Sequence, residues 1–215
     1  MKPAYALSLL SATGVILVVS GIAPSDRLTW ILEVFPVVVG MPLAVATYRR
    51  FPLTGLLYWL LFLHAIILMV GGHYSYAEVP LGFWVRDAFD LARNHYDRLG
   101  HFAQGFVPAI LAREILVRCS PLARSRWLPF LVVSVCLAFS AFYELIEWWG
   151  ALVFGSDATA FLATQGDVWD TQWDMFIALV GAITALVALT KPHDAQLARL
   201  GGRSSASGGN FRHTS

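Results

Sequence analysis

Long apolar runs broken by short polar links dominate this chain, and their lengths match the roughly 20 residues that a helix needs to cross a bilayer core. The runs cover residues 5–23, 30–48, 53–72, 97–117, 127–154 and 168–190. A basic turn, Arg49-Arg50-Phe51-Pro52, is all that separates the second from the third, so these two should form an antiparallel hairpin. Residues 83–94 follow a different pattern. Val85, Ala88, Phe89 and Ala92 line one helical face while Arg86, Asp87, Asp90 and Arg93 occupy another, which predicts an amphipathic helix lying in the membrane interface. The expectation is an all-α polytopic membrane protein: a six-transmembrane-helix bundle with one interfacial helix between spans 3 and 4. Residues 1–191 would form a single helical domain, and the Gly/Ser-rich residues 192–215 a disordered cytoplasmic tail.

The first run follows Lys2 and has the look of a secretion signal, but Pro24 stands just after its one small-residue cleavage point, and we read it as an uncleaved span. Composition agrees with the pattern. The 215 residues are 57% hydrophobic and 13% charged, with a mean hydropathy of +0.63, far from the charged fraction of about a quarter found in soluble domains. A formal charge of +1 offers no basic surface for nucleic acid. Cys119 and Cys136 are too few and too differently placed for a disulfide framework or a thiolate metal cluster.

Basic residues set the expected orientation. Lys2, the Arg49-Arg50 turn, the loop bearing Arg118, Arg124 and Arg126, and Lys191, Arg199, Arg203 and Arg212 fall on one side; Arg27, Arg86, Arg93 and Arg98 fall on the other. The positive-inside rule therefore places both termini in the cytoplasm. Trp30, Trp84, Trp148, Trp149, Trp169 and Trp173 gather toward the outer ends and Trp59 and Trp127 toward the inner ones, as interfacial anchoring predicts.

Against this background the intramembrane acids need an explanation, because a carboxylate at the bilayer centre costs about 2.5–3.5 kcal/mol even on the lenient insertion scale. Glu144 and Glu147 share a face of span 5 with Ser140 and Tyr143 nearby. Asp97, His101 and Gln104 form a stripe on span 4, and Asp167, Asp170 and Asp174 recur along one face of span 6. At about 1.5 Å per residue, His101, Asp174, Glu147 and Glu144 lie roughly 6, 9, 10 and 15 Å in from the outer ends of their spans. Three helices thus aim acids or an imidazole at one layer. His101, Glu144, Glu147, Asp174 and Asp97 are the candidate catalytic residues, the first four also suiting a divalent metal such as Zn, Mn or Fe(II). His73, Tyr74, Tyr76, Gln104, Tyr143 and Asp170 are candidate substrate or accessory residues, Asp167 and Asp170 doubling as helix caps. Glu114 should pair with Arg118 at the cytoplasmic end, and Glu33 with His64 across spans 2 and 3.

Several strings also carry a resemblance: Gly71-Gly72-His73-Tyr74-Ser75-Tyr76-Ala77-Glu78-Val79-Pro80, Tyr96-Asp97-Arg98-Leu99-Gly100-His101-Phe102-Ala103-Gln104-Gly105-Phe106, Tyr143-Glu144-Leu145-Ile146-Glu147-Trp148-Trp149, Thr164-Gln165-Gly166, and Trp169-Asp170-Thr171-Gln172 with Asp174-Met175. From the first span to about Lys191 the chain resembles the YjdF-like bacterial inner-membrane protein family. That resemblance implies a multi-pass inner-membrane location and no activity, the family being a domain of unknown function. A looser likeness to the VanZ-like membrane proteins, associated with glycopeptide resistance, would match Asp97, His101, Phe102, Glu144 or Glu147, and Asp170 or Asp174; here Glu-x-x-Glu-Trp-Trp replaces a Glu-x-x-Gln type.

Three functional classes fit these residues. An enzyme would use the outer-layer acids and His101, as metal ligands or as acid and base, on a lipid-linked or amphipathic substrate. A proton-coupled carrier would relay through Glu33, His64, His101, Glu144 and Glu147, although the inner halves of the spans are largely apolar. A scaffold would use the polar network only to fix helix packing. Membrane lipids are the expected surroundings in every case.

Overall fold

The computed structural model describes residues 3–155 and 164–207 and is entirely helical among them. Seven α-helices run in order: α1 (Pro3–Ser20), α2 (Arg27–Thr47), α3 (Gly55–Tyr74), α4 (Pro80–Phe89), α5 (Tyr96–Cys119), α6 (Trp127–Phe154) and α7 (Asp170–Ser207). Two short 3-10 turns, Tyr76–Glu78 and Pro121–Arg124, lie in the links. Local chemistry accounts for several starts. The Asp26 carboxylate accepts the Thr29 amide at 2.7 Å, the Thr54 hydroxyl accepts the Leu57 amide at 3.3 Å, and Pro80 opens α4 where its missing N–H costs nothing.

By length and apolar composition α2, α3, α6 and the segment of α7 up to Leu200 can each cross a membrane, and α1 is apolar but shorter. Helix α5 is excluded from that group by its own charges. Its position explains how it bears them: it packs against α7, α6 and α3, with Asp97, His101, Arg113 and Glu114 all buried, while α1 and α2 pack on α3. The usual distribution of polarity is inverted, for Val18, Val153 and Val187 are 70%, 74% and 81% exposed. Such an apolar exterior around a charged centre is what a lipid solvent selects.

Small residues let α5 and α7 approach closely. A Cβ on Gly105 would fall 1.8 Å from the Ala178 carbonyl oxygen, and one on Gly181 would fall 2.2 Å from that of Phe102. Ala109, Ala178, Ala182 and Ala185 complete the seam, each with no exposed surface. Close backbone packing of this kind replaces the hydrophobic drive that lipid removes.

Two expectations about the elements need correction. The helix expected over 83–94 runs instead over Pro80–Phe89, because Asp90 adopts a left-handed backbone (φ 52°) and ends it, leaving Ala92 outside; it exposes Leu81, Trp84, Val85 and Phe89. Helix α7 does not yield to a tail at residue 192. It continues to Ser207, and His193 within that stretch is completely buried. Residues 208–215 lie outside the described part.

The reason for the longer α7 is a buried polar knot. Glu114 accepts the Thr54 backbone N–H (3.1 Å) and hydroxyl (2.8 Å), the Arg118 guanidinium (2.8 Å) and the His193 Nε2–H (3.0 Å). Arg113 donates to His193 Nδ1 at 2.9 Å and to Asp194 at 2.6 Å, while Gln196 accepts the Leu56 amide at 2.9 Å. The expected Glu114–Arg118 pair is therefore one strand of a tie joining α3, α5 and α7. The expected Glu33–His64 pair is absent: His64 Nε2 is buried without a partner among the described residues, and Glu33 points elsewhere.

Candidate functional site

At the opposite end of the bundle, α5, α6 and α7 converge on His101. Its Nε2 lies 3.4 Å from Asp97, one turn earlier on α5, and 3.6 Å from Asp174 on α7. On its other side Nδ1 lies 3.0 Å from Gln104 and 4.0 Å from Glu144 on α6. Glu147 joins that side, since one donor atom each from His101, Glu144 and Glu147 lie within 4.8 Å of one another; the same holds for Asp97, His101 and Asp174. The candidate residues thus form two overlapping triplets about His101, most of them buried, with Asp97 and Asp174 toward Nε2 and Glu144 toward Nδ1, so Asp174 does not join Glu144 and Glu147 in one ligand set. The separations leave room for a cation with ligand bonds of about 2.0–2.2 Å.

Two arginines complete the cluster; the sequence places Arg93 on the polar face of the amphipathic segment and Arg98 at the start of span 4, and counts both only toward orientation. Arg98 donates to Asp174 and to Asp170, the latter at 2.7 Å, with Asp97 and Asp167 at 3.4 and 3.3 Å. Arg93 donates to Asp170 at 3.0 Å and to the Thr164 carbonyl at 2.9 Å. A signal for both existed. Three acids on one face of a span demand cations at the same depth, and Arg93 and Arg98 are the basic residues of the segment that leads into α5. Asp170 thereby serves as an ion-pair partner, while Asp167 accepts the Trp169 amide at 2.9 Å in the turn before α7 begins at Asp170 and does not cap the helix.

Glu33 belongs to this site as well. The Tyr143 hydroxyl donates to it at 3.4 Å, linking α6 to α2. Tyr76 sits between two glycines that make space for its ring: a Cβ on Gly71 would come within 2.2 Å of it and one on Gly100 within 2.6 Å. Burial, reinforced by the Glu33 carboxylate, pushes the Tyr76 phenol well above its ordinary range, so it remains an O–H donor. Asn94, fully buried, anchors the loop before α5. It donates to the Val79 carbonyl at 3.0 Å, accepts the Tyr96 amide at 3.0 Å and exchanges bonds with Gln165.

Two accessory candidates fall outside. His73 places Nδ1 2.9 Å from the Ser20 carbonyl, tying α3 to α1, and Tyr74 stacks edge-on against it with 38% of its surface exposed. Tyr76, Gln104, Tyr143 and Asp170 lie at the site. Both cysteines are free, Cys119 exposed and Cys136 buried.

The carboxylates divide into two sets. Asp167, Asp170 and Asp174 face Arg93 and Arg98. Glu33, Glu144 and Glu147 face no guanidinium, and Glu144 Oε1 is buried without a hydrogen-bond partner among the described residues. On this second side opens a cavity of about 1050 Å³, lined by Glu33, Tyr76, Asp97, His101, Tyr143 and Glu147 at one end and by apolar side chains of α1, α2, α3, α5 and α6 beyond.

Residues 5–195 match the family described as "Predicted membrane protein (DUF2238)". The chain belongs to this family of membrane proteins. Within the DUF2238 relatives, it is 58% identical over 186 residues to the inner membrane protein YjdF of Escherichia coli strain K12, covering 86% of this chain and 89% of that protein. No solved structure matches it. The DUF2238 match covers the converging site and the Glu114 knot as far as Asp194, with Gln196 one residue beyond it.

Proposed function

We propose that this DUF2238 protein is a six-span inner-membrane enzyme, both termini cytoplasmic, whose acid/His site in the outer half of the bundle acts on a lipid-linked or amphipathic substrate. The carrying observation is that Nε2 and Nδ1 of one imidazole face carboxylates from three helices, Asp97 on α5, Glu144 on α6 and Asp174 on α7. Such a ring moves a proton between a reactant and its acid partners, or ligates a divalent cation beside them. Arg98 and Arg93 hold Asp170 and Asp174 in place, and Glu144 and Glu147 are the groups left to meet a reacting centre or a metal. The inner-membrane location follows the relative's name, the six spans count α1 and the shielded α5 as crossing, and α4 lies in the outer interface.

Metal analysis of detergent-purified protein tests this reading. The expectation is a stoichiometric divalent metal in wild type, lost in both His101→Ala and Glu147→Gln with the fold retained. If the wild type binds none after incubation with Zn²⁺, Mn²⁺ or Fe²⁺, the metal version fails and acid/base chemistry alone must carry the site. Uptake into proteoliposomes that follows a pH gradient and vanishes in Glu144→Gln would replace the enzyme by a proton-coupled carrier. Variants that lose only thermal stability and leave every cellular phenotype intact would reduce the network to a scaffold.

A further inference from the structure

We infer that the cavity beside the site takes an uncharged single-chain amphiphile with a hydroxyl head, the head at the end lined by Glu33 and Gln104 and the hydrocarbon chain lying along α2; this names the substrate class of the enzyme reading above and rests on it. The cavity's shape sets the chain. It is lined from Glu33 to Arg49 on one wall and from Asp97 to Leu116 on the facing wall. At about 1.5 Å per residue those walls run roughly 24 and 28 Å, most of the depth of a bilayer core. Between the ends the lining is mostly apolar, with Val37, Met41, Leu68 and Phe139 among the side chains that would meet methylene groups. Its volume, about 1050 Å³, lies at the upper end of the range for ligand pockets.

Access comes from the side. Helix α2 packs on α3 while α6 packs on α5 and α7, and at the head end the Tyr143–Glu33 hydrogen bond spans the gap between α2 and α6. A molecule already dissolved in the membrane reaches the site without crossing water.

The head end holds ionisable groups but leaves none over for a charged ligand. Arg93 and Arg98 are turned to the aspartates of α7 and do not line the cavity, and Arg49, the one basic residue other than histidine along the described lining, stands at the far end. A phosphate or carboxylate head would therefore meet only His101, which already faces Asp97, Glu144 and Asp174. The acids are engaged as well. Asp97 is held by His101 and Arg98, Glu33 accepts the Tyr143 hydroxyl, and Glu147 stands with His101 and Glu144 in the set that suits a divalent cation, so an ammonium would have to displace one of these partners. A charge buried without an uncommitted counter-charge bears its whole desolvation cost, while an uncharged polar head needs only hydrogen bonds. Those are on offer. Gln104 gives its Oε1 to His101 Nδ1 at 3.0 Å and lines the cavity with its amide N–H groups unpartnered among the described residues, and Glu33 has a second carboxyl oxygen beyond the one that Tyr143 meets. A hydroxyl, donor and acceptor at once, accepts from the amide and bonds the carboxyl group in either of its protonation states, and it leaves the set of His101, Glu144 and Glu147 intact for a metal.

The test irradiates hexadecanol carrying a mid-chain diazirine with the full-length protein in phosphatidylcholine nanodiscs and maps the adducts. Labelling should fall on the cavity-lining residues of α2, α3 and α5. Unlabelled hexadecanol should compete it away at a concentration at least about tenfold lower than hexadecylamine, hexadecanoate or hexadecane requires, the margin that two buried hydrogen bonds supply. Gln104→Leu should remove the alcohol's advantage over hexadecane. Gly40 lines the apolar stretch and has nothing within 4 Å of where a Cβ would stand, so Gly40→Trp places a ring in the channel. It should abolish competed labelling and leave the metal content and melting temperature of the ligand-free protein unchanged. Equal competition by the amine, the acid or the alkane, an undiminished advantage of the alcohol in Gln104→Leu, or undiminished competed labelling in Gly40→Trp would each overturn the inference. A wild type that holds metal but shows no competed labelling refutes the inference alone, whereas competed labelling of a protein whose His101→Ala variant has an unaltered phenotype refutes the enzyme reading alone.

Discussion

Arg98 shows how a single side chain can reorganise the meaning of its neighbours. Read along the chain it is one of four basic residues on the outer side; in the fold its guanidinium reaches Asp97, Asp167, Asp170 and Asp174. Removing one partner of a buried ion pair strands the other charge, at a typical cost of about 3–5 kcal/mol. Arg98→Met should therefore lower the unfolding midpoint in detergent by an amount of that order. Arg98→Lys should recover only part of it, since a point charge cannot span four carboxylates as a planar fork does. A melting temperature for Arg98→Met equal to wild type would show that the aspartates find other partners. The acids themselves were legible from spacing and depth, because helical periodicity fixes the face and rise fixes the level. Which cation answers which acid was not, since that depends on the loop from Asp90 to His95, whose course is set by the left-handed Asp90 and by the buried Asn94.

Among the helices, the boundaries of α5 (Tyr96–Cys119) and α6 (Trp127–Phe154) follow the apolar runs at 97–117 and 127–154 closely, because the polar links on either side mark where each run ends. The C-terminal extent of α7 does not. Past residue 190 the composition turns polar and then Gly/Ser-rich, which in water signals disorder, but His193 and Gln196 are bonded to Glu114 and to the Leu56 amide across 79 and 140 residues of sequence. No local pattern encodes a partner that distant. The prediction is that truncation after Lys191, which removes His193, Asp194 and Gln196 together, markedly destabilises the protein in detergent. His193→Ala should give a smaller loss in the same direction, about 1 kcal/mol, since Glu114 keeps the Thr54 hydroxyl on the same oxygen and only the His193 bonds to Glu114 and Arg113 are lost. Truncation without effect on the melting temperature or expression would mean the knot contributes nothing beyond the pairing of Glu114 with Arg118 and Thr54.

Across the whole molecule, the two polar centres stand at opposite ends of the same central helix, the His101 cluster at the N-terminal end of α5 and the Glu114 knot at the other. The proposed orientation puts the first toward the periplasm and the second toward the cytoplasm, and native cysteines make this testable with few changes. Cys119, exposed, closes α5 beside Arg118, whereas Cys136 is buried within α6 and should stay silent. Val168, 85% exposed, lies just before α7 on the side of the His101 cluster. In intact spheroplasts a membrane-impermeant maleimide should therefore leave the wild type unlabelled, label Cys119 only after permeabilisation, and label a Val168→Cys variant at once. The reverse pattern would invert the bundle, put the carboxylate-lined head of the cavity in the inner leaflet and require any amphiphile to enter from the cytoplasmic side. Labelling at both positions in intact spheroplasts would mean that α6, the helix that joins Cys119 to Val168, does not cross, and with it α5, whose N-terminal end lies beside α7 and whose C-terminal end carries Cys119.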